Sequence, residues 1–212
     1  MRTMWKFGEA ALEETERYAA IVRRVSSLVL QMEGPSDVVA ELNSVLARAE
    51  AELTALAPAD PRPRIGADSG GEGRVYLDHS RAVGAYNPAF PTYTLEVDGN
   101  RASGTVAFPV LYEGPPGVVH GGFLAVFFDQ AIQHHNCDVG TAGKTTRLEV
   151  QYSAPTPLLR ELHFDIERRV DDRRIESTAR LFAGDVLCAT ATMRAVAGNL
   201  ASLPSVSPRR AR

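Results

Sequence analysis

One short segment gathers the residues that could do chemistry. It reads His120-Gly121-Gly122, then an apolar run from Phe123 to Phe128, then Asp129. Aspartate is a poor helix former away from the first turn, and a carboxylate among apolar side chains is costly unless it is paired. From position alone two readings stay open. Asp129 lies on a single wet face or pairs with a base, or it is a carboxylate kept partly dry to act as base or nucleophile. The glycines favour the second. They fall at the first turn of the expected helix, where amides are unpaired and carry the positive end of the helix dipole. Glycine there lets a ligand approach the backbone. A carbonyl oxygen at that point would meet an oxyanion hole, in which each donor is worth about 3 kcal/mol in the transition state. Gly121 and Asp129 are separated by about 12 Å of helix rise, too far for both to reach one carbonyl. A second chain that brings its own helix alongside would solve this, so the spacing argues for a site shared between two chains.

The elements that must position these residues follow from periodicity. His120 to Asn136 reads as one helix, apolar nearly all round and therefore buried. Before it, Thr94–Val97 and Ala102–Phe108 read as strands joined at Asp98-Gly99-Asn100, a tight-turn signal. After it, strands are expected at Thr145–Ser153, Leu162–Val170, Ile175–Ala183 and Val186–Val196, with turns at Asp171-Asp172 and Gly184-Asp185. Short turns demand antiparallel pairing, and a single helix must cover one face of the sheet, which is an α+β layer architecture. Residues 9–57 read as two helices broken at Gly34-Pro35-Ser36, each with one apolar stripe that needs a partner. The domain organisation expected is a helical hairpin over 1–60, a Pro/Gly linker over 61–73, the sheet-and-helix domain over 74–197 and a flexible tail over 198–212.

Composition excludes several classes. The chain of 212 residues is 44% hydrophobic with a net charge of −3, which suits a globular core and gives no attraction to nucleic acid or anionic membrane. The first 60 residues carry six basic against ten acidic side chains, a balance that repels phosphate and argues against a DNA-binding arm. No signal-peptide pattern and no apolar run of membrane-spanning length is visible, so a cytoplasmic, reducing environment is expected, with Cys137 and Cys188 as free thiols. Asp138 to Thr145 mimics the end of a phosphate-binding loop, but it lacks the first glycine and leads into a strand. His134 and Asp138 share a helix face while His135 does not, and two ligands make no metal site. No metal and no other cofactor is expected.

The pattern Gly117-Val118-Val119-His120-Gly121-Gly122, then Ala125 and Asp129, resembles the PaaI-type hotdog thioesterases. The preceding Glu113-Gly114-Pro115-Pro116-Gly117 brings it nearest to the mammalian mitochondrial acyl-CoA thioesterases of that group. The resemblance covers roughly residues 75 to 197. It implies a hotdog fold, an antiparallel sheet of five or six strands wrapped around one helix, in homodimers or homotetramers whose active site lies at the dimer interface. It implies hydrolysis of acyl-CoA to free acid and coenzyme A. Carried over, Asp129 matches the catalytic carboxylate, Gly121 the glycine whose amide holds the thioester oxygen, His120 the motif histidine that orients the site, and Thr145 a threonine near the attacking water. Gly122, Phe123 and Tyr112 are the residues expected against substrate. One departure stands at Gly114, where some relatives carry asparagine. The rival readings are a non-hydrolytic acyl-CoA binder and a hotdog dehydratase or hydratase, which needs a histidine and an acid together.

Overall fold

The computed structural model describes residues 11–57, 83–140 and 143–197 in full, and the backbone alone at Lys6–Glu9, Arg64–Ile65, Val75–Leu77 and Ser207–Pro208. The expected linker and tail otherwise lie outside the described residues. In chain order the elements are β1 (Lys6–Glu9), α1 (Glu13–Val29), α2 (Asp37–Leu56), β2 (Arg64–Ile65), β3 (Val75–Leu77), α3 (Val83–Tyr86), β4 (Glu96–Asp98) and β5 (Arg101–Ala107). A 3-10 turn (Val110–Tyr112), α4 (Gly121–Asp138), β6 (Gly143–Tyr152), β7 (Glu161–Asp171), β8 (Arg174–Ala183), β9 (Val186–Ala197) and β10 (Ser207–Pro208) follow.

Six strands form one sheet in the order β4-β5-β7-β8-β9-β6, every neighbouring pair antiparallel. Two short parallel pairs, β1 with β3 and β10 with β2, stand apart from it. The strands β7, β8 and β9 follow one another through two-residue turns at which Asp172 and Gly184 take positive φ, as the twist of such turns requires. Inward and outward residues alternate along these strands: Leu162, Phe164 and Ile166 are buried, as are Ala179 and Leu181, then Ala189, Ala191 and Met193, with one break at the adjacent buried pair Cys188 and Ala189.

Against that face lies α4, which buries Leu124, Phe127, Phe128, Ala131 and Ile132. Phe127 is the hub of the packing, with ring centroids 5.1 Å from Phe164 and 5.7 Å from both Tyr93 and Phe108. Edge-to-face pairs of this kind fix the helix on the sheet. The result is the hotdog arrangement, a curved antiparallel sheet around one helix.

The N-terminal helices form where expected. α1 buries Ala19, Arg23 and Ser27 against α3 and the 3-10 turn, while Tyr18 and Leu28 of its apolar stripe stay exposed. α2 buries nothing, and its stripe of Val38, Val45, Leu46, Leu53 and Leu56 faces outward in the single chain. Within the single chain the stripe of α2 therefore has no cover and that of α1 has only part. Arg23 of α1 is held by the Gly84 carbonyl within α3 and the Asn87 carbonyl just after it.

Candidate active site

α4 begins as its sequence dictates. His120 is the N-cap in extended backbone, and its Nδ1 accepts the Gly122 amide at 3.0 Å. The His120 carbonyl accepts the amides of Phe123 and Leu124. The Gly121 amide meets no acceptor among the described residues, as befits the first position of a helix. The Tyr152 hydroxyl at the end of β6 donates to the Gly121 carbonyl at 2.9 Å and so pins the first turn from outside. A Cβ at Gly121 would sit 3.0 Å from the Tyr152 ring, so any larger residue there must push the ring back by a few tenths of an ångström.

The Glu113–Gly117 loop is held just as closely. The Gly117 amide donates to Glu113 Oε1 at 2.7 Å, and the His120 amide donates to the Tyr112 carbonyl at 2.9 Å. Gly114 lies against His120, and a Cβ there would come within 2.8 Å of the His120 Cα. The departure from relatives with asparagine at this place therefore has a steric basis: this loop leaves no room for a side chain.

Two turns further along α4, Asp129 is half-buried between apolar neighbours, and one of its oxygens is engaged. Thr145 Oγ1 donates to Asp129 Oδ1 at 3.0 Å. Gln133, one turn below Asp129, donates its Nε2 to Thr145 Oγ1 at 2.8 Å and to the Gly143 carbonyl at 3.0 Å. Gln133 thus occupies the hydroxyl's acceptor side and leaves its proton for the carboxylate. Simple alternation along β6 would place Thr146, not Thr145, on the face of Leu148 and Val150. A bulge between Thr145 and Arg147 shifts the phase so that Thr145 opposes the inward Ala195.

Of the residues singled out from sequence, the structure brings Asp129 and Thr145 together, and His120 with Gly121, Gly122 and Phe123. It does not bring these two groups to each other within one chain, since they occupy opposite parts of α4. Tyr112 is fully buried, with its ring edge-on to Phe123 at 4.9 Å and to Phe108 at 5.9 Å, so it presents no surface to a ligand in the single chain. Gln133 and Tyr152 went unassigned from sequence. Gln133 had a usable signal, being four residues beyond Asp129 on the same helix face.

Gly122, Ala125, Val126, Asp129 and Gln133 follow one another at three- and four-residue spacing along α4, none of them fully buried. Among the described residues no group of three or more His, Cys, Asp or Glu side chains is placed to hold a metal, and no helix is long and apolar enough to cross a membrane. His134 and Asp138 do share a face, 3.6 Å apart, and Cys137 and Cys188 are free thiols. A surface concavity of about 420 Å³ lies over β4, β5 and β7, at the opposite edge of the sheet from Thr145.

Compared by sequence, the chain matches no protein-family model and no curated protein. Compared by structure, it is similar to a thioesterase superfamily protein at 27% identity and a TM-score of 0.70, over 91% of this chain and 94% of that one. That likeness extends beyond the sheet-and-helix unit into the N-terminal helices. Mouse thioesterase superfamily member 2 matches at 14% identity and a TM-score of 0.47, over 50% of this chain and 82% of its own. A hypothetical thioesterase of Streptococcus pneumoniae, solved with coenzyme A, matches at 20% and 0.46, over 50% and 90%. The sheet wrapped around one helix that the motif led one to expect is thus shared with a solved thioesterase superfamily protein.

Proposed function

We propose that this chain is an acyl-CoA thioesterase whose active sites are completed by two copies of the chain. One observation carries the reading: a carboxylate held half-buried on an apolar helix, with one oxygen fixed by a hydroxyl that an amide in turn orients. Such a chain of donors engages one carboxylate oxygen and leaves the second available to take a proton. The unpaired Gly121 amide at the start of the same helix supplies the complementary part, a donor for an oxyanion. The likeness to a thioesterase superfamily protein over nearly the whole length of both chains supports the same reading.

In the proposed reaction Asp129 takes a proton from water, and the water oxygen attacks the thioester carbonyl carbon. The carbonyl π pair moves to oxygen, where the Gly121 amide of the second copy stabilises it. Collapse expels the coenzyme A sulfur, which receives the proton from Asp129, and the free acid remains. Direct attack by Asp129 would instead give a mixed anhydride that water then cleaves. The side of α4 carrying Gly122, Ala125 and Val126 is narrow, which suits the close approach of a second α4. A hotdog dehydratase is disfavoured because His120 Nδ1 is already engaged as the helix cap at Gly122.

The test is thiol release from a panel of short, long and aryl acyl-CoAs, with wild type and Asp129→Asn side by side. Wild type is expected to hydrolyse one class, and the variant to lose a factor of about 100 to 10,000 in kcat while staying folded. A folded, active Asp129→Asn protein refutes the assignment. Binding of acyl-CoA without thiol release by wild type moves the function to the non-hydrolytic class.

A further inference from the structure

Of the four polar groups in the two peptide units that flank the Gly121 Cα, three are engaged. The His120 carbonyl accepts the Phe123 amide at 2.9 Å and the Leu124 amide at 3.3 Å. The Gly122 amide donates to His120 Nδ1 at 3.0 Å. The Gly121 carbonyl accepts the Tyr152 hydroxyl at 2.9 Å. The Gly121 amide meets no acceptor among the described residues. The bonds at His120 and Gly122 are made by the turn to itself, whereas Tyr152 belongs to β6. A turn that opens on two glycines holds itself weakly, because glycine loses more backbone freedom in a helix than other residues. Rotation at the Gly121 Cα would swing its amide, and an outside anchor on the adjoining carbonyl opposes that rotation.

Tyr152 is itself tied to the segment that it steadies. It ends β6 opposite Ala189. The amides of Ser153 and Ala154 donate to the Cys188 carbonyl at 2.8 and 3.1 Å. Beyond them the Thr156 carbonyl accepts the Val119 amide at 2.9 Å, and the Leu158 amide donates to the Gly117 carbonyl at 3.1 Å. The chain after β6 therefore runs alongside the chain before α4, and this frame delivers the phenol to Gly121. Tyr152 nevertheless stays 55% exposed, so burial contributes little to its placement and the directed bond contributes more.

We propose that Tyr152 is a positioning residue for the oxyanion donor: its hydroxyl, bonded to the Gly121 carbonyl, holds the first turn of α4 so that the Gly121 amide faces the thioester oxygen. β6 then carries both supports of the reaction. Thr145 near its start holds the carboxylate and Tyr152 at its end holds the turn, roughly 22 Å apart along the strand. At that separation the two serve different active sites, as a site shared between two copies requires. This inference rests on the thioesterase reading.

The experiment uses the full chain, with Tyr152→Phe and Tyr152→Leu beside wild type. The first variant removes the hydroxyl and keeps the ring; the second removes both. In steady-state hydrolysis of acyl-CoA, Tyr152→Phe is expected to lower kcat about threefold to tenfold with KM within about twofold, because a misaimed donor weakens the transition state and not the ground state. A trifluoromethyl ketone analogue of acyl-CoA, whose hydrate places an oxygen where the oxyanion forms, should bind more weakly by about the same factor. A thioether analogue without a carbonyl should bind as it does to wild type. Amide hydrogen exchange at Gly122 should quicken while β7 to β9 stay protected.

Wild-type kcat in Tyr152→Phe overturns the proposal, and a loss confined to Tyr152→Leu assigns the residue to packing instead. A rise in KM at unchanged kcat, or equal weakening of both analogues, also overturns it, because either marks uniform contact with substrate. Absence of thiol release from wild type refutes the thioesterase reading and this inference with it. A hydrolysing wild type beside an unaffected Tyr152→Phe refutes the inference alone.

Discussion

Replacing Thr145 with valine keeps the β-branch and nearly the volume but deletes the oxygen that bonds Asp129 at 3.0 Å and Gln133 at 2.8 Å. A hydrogen bond to a charged group contributes about 1.5–3 kcal/mol. If that bond holds the carboxylate in its productive orientation, most of its worth is felt in the transition state. About 1.4 kcal/mol is a factor of ten in rate, so kcat should fall roughly 10- to 100-fold. Stability should move by no more than about 0.5–1 kcal/mol. Thr145 lies on an exposed strand, and Gln133 keeps its bond to the Gly143 carbonyl, so no donor is orphaned. Gln133→Leu removes only the group that orients the hydroxyl and should cost about threefold to tenfold, by the weaker bond to a neutral acceptor. Initial rates of thiol release at saturating acyl-CoA, with thermal unfolding of each protein, make the comparison. The expected order of loss is Asp129→Asn, then Thr145→Val, then Gln133→Leu. A folded Thr145→Val enzyme with wild-type kcat, or a Gln133 variant worse than the Thr145 variant, refutes the reasoning.

Further outcomes follow from burial and from the glycine loop. His135 is wholly buried, and desolvation pushes its pKa below the ordinary 6.5. Arg168 and His134 add to the depression, while the Gly99 hydrogen bond and Asp138 oppose it. The unfolded chain therefore binds the proton more readily. Its contribution is fully present above pH 6.5 and is lost as pH falls through the depressed folded value. Urea midpoints compared at about pH 7.5 and pH 5.5 should show a flatter fall for His135→Gln than for wild type, and equal slopes would dismiss the idea. Gly114→Asn should destabilise by about 1–3 kcal/mol, because the atom it meets belongs to the His120 backbone and cannot swing aside. Calorimetry should show a Tm lower by about 3–10 °C, and an unchanged Tm would mean that the loop has room after all.

The frame of the molecule was legible because each element carries its own local signal. Alternating apolar residues marked the strands, Gly99, Asp172 and Gly184 marked the turns, and the apolar run after His120 marked the helix. What stayed hidden depends on partners far away in sequence. Tyr152 matters through a carbonyl on another element, and the bulge that turns Thr145 inward has no local signature in a run of polar residues. Thr145 itself was reached only through the family resemblance. On α1, Ala19 is buried within the apolar stripe, but periodicity weights apolar side chains and gives no sign that Arg23 bonds the Gly84 and Asn87 carbonyls.

The position of β6 at the sheet edge has a consequence for when the site comes into being. β6 precedes β7, β8 and β9 in the chain, yet its one neighbour in the sheet is β9. The β7–β8–β9 meander closes through two tight turns and pays little loop entropy, so it should form first. Thr145 can settle against α4 only after Ala195 is there to pair with it. A nascent chain that ends before β9 therefore carries Asp129 without Thr145 settled beside it, and the last strand of the six-stranded sheet to be synthesised is the one that completes the carboxylate's surroundings. Pulse-labelled hydrogen exchange during refolding should protect β7 and β8 before β6; protection of β6 first would reverse this order.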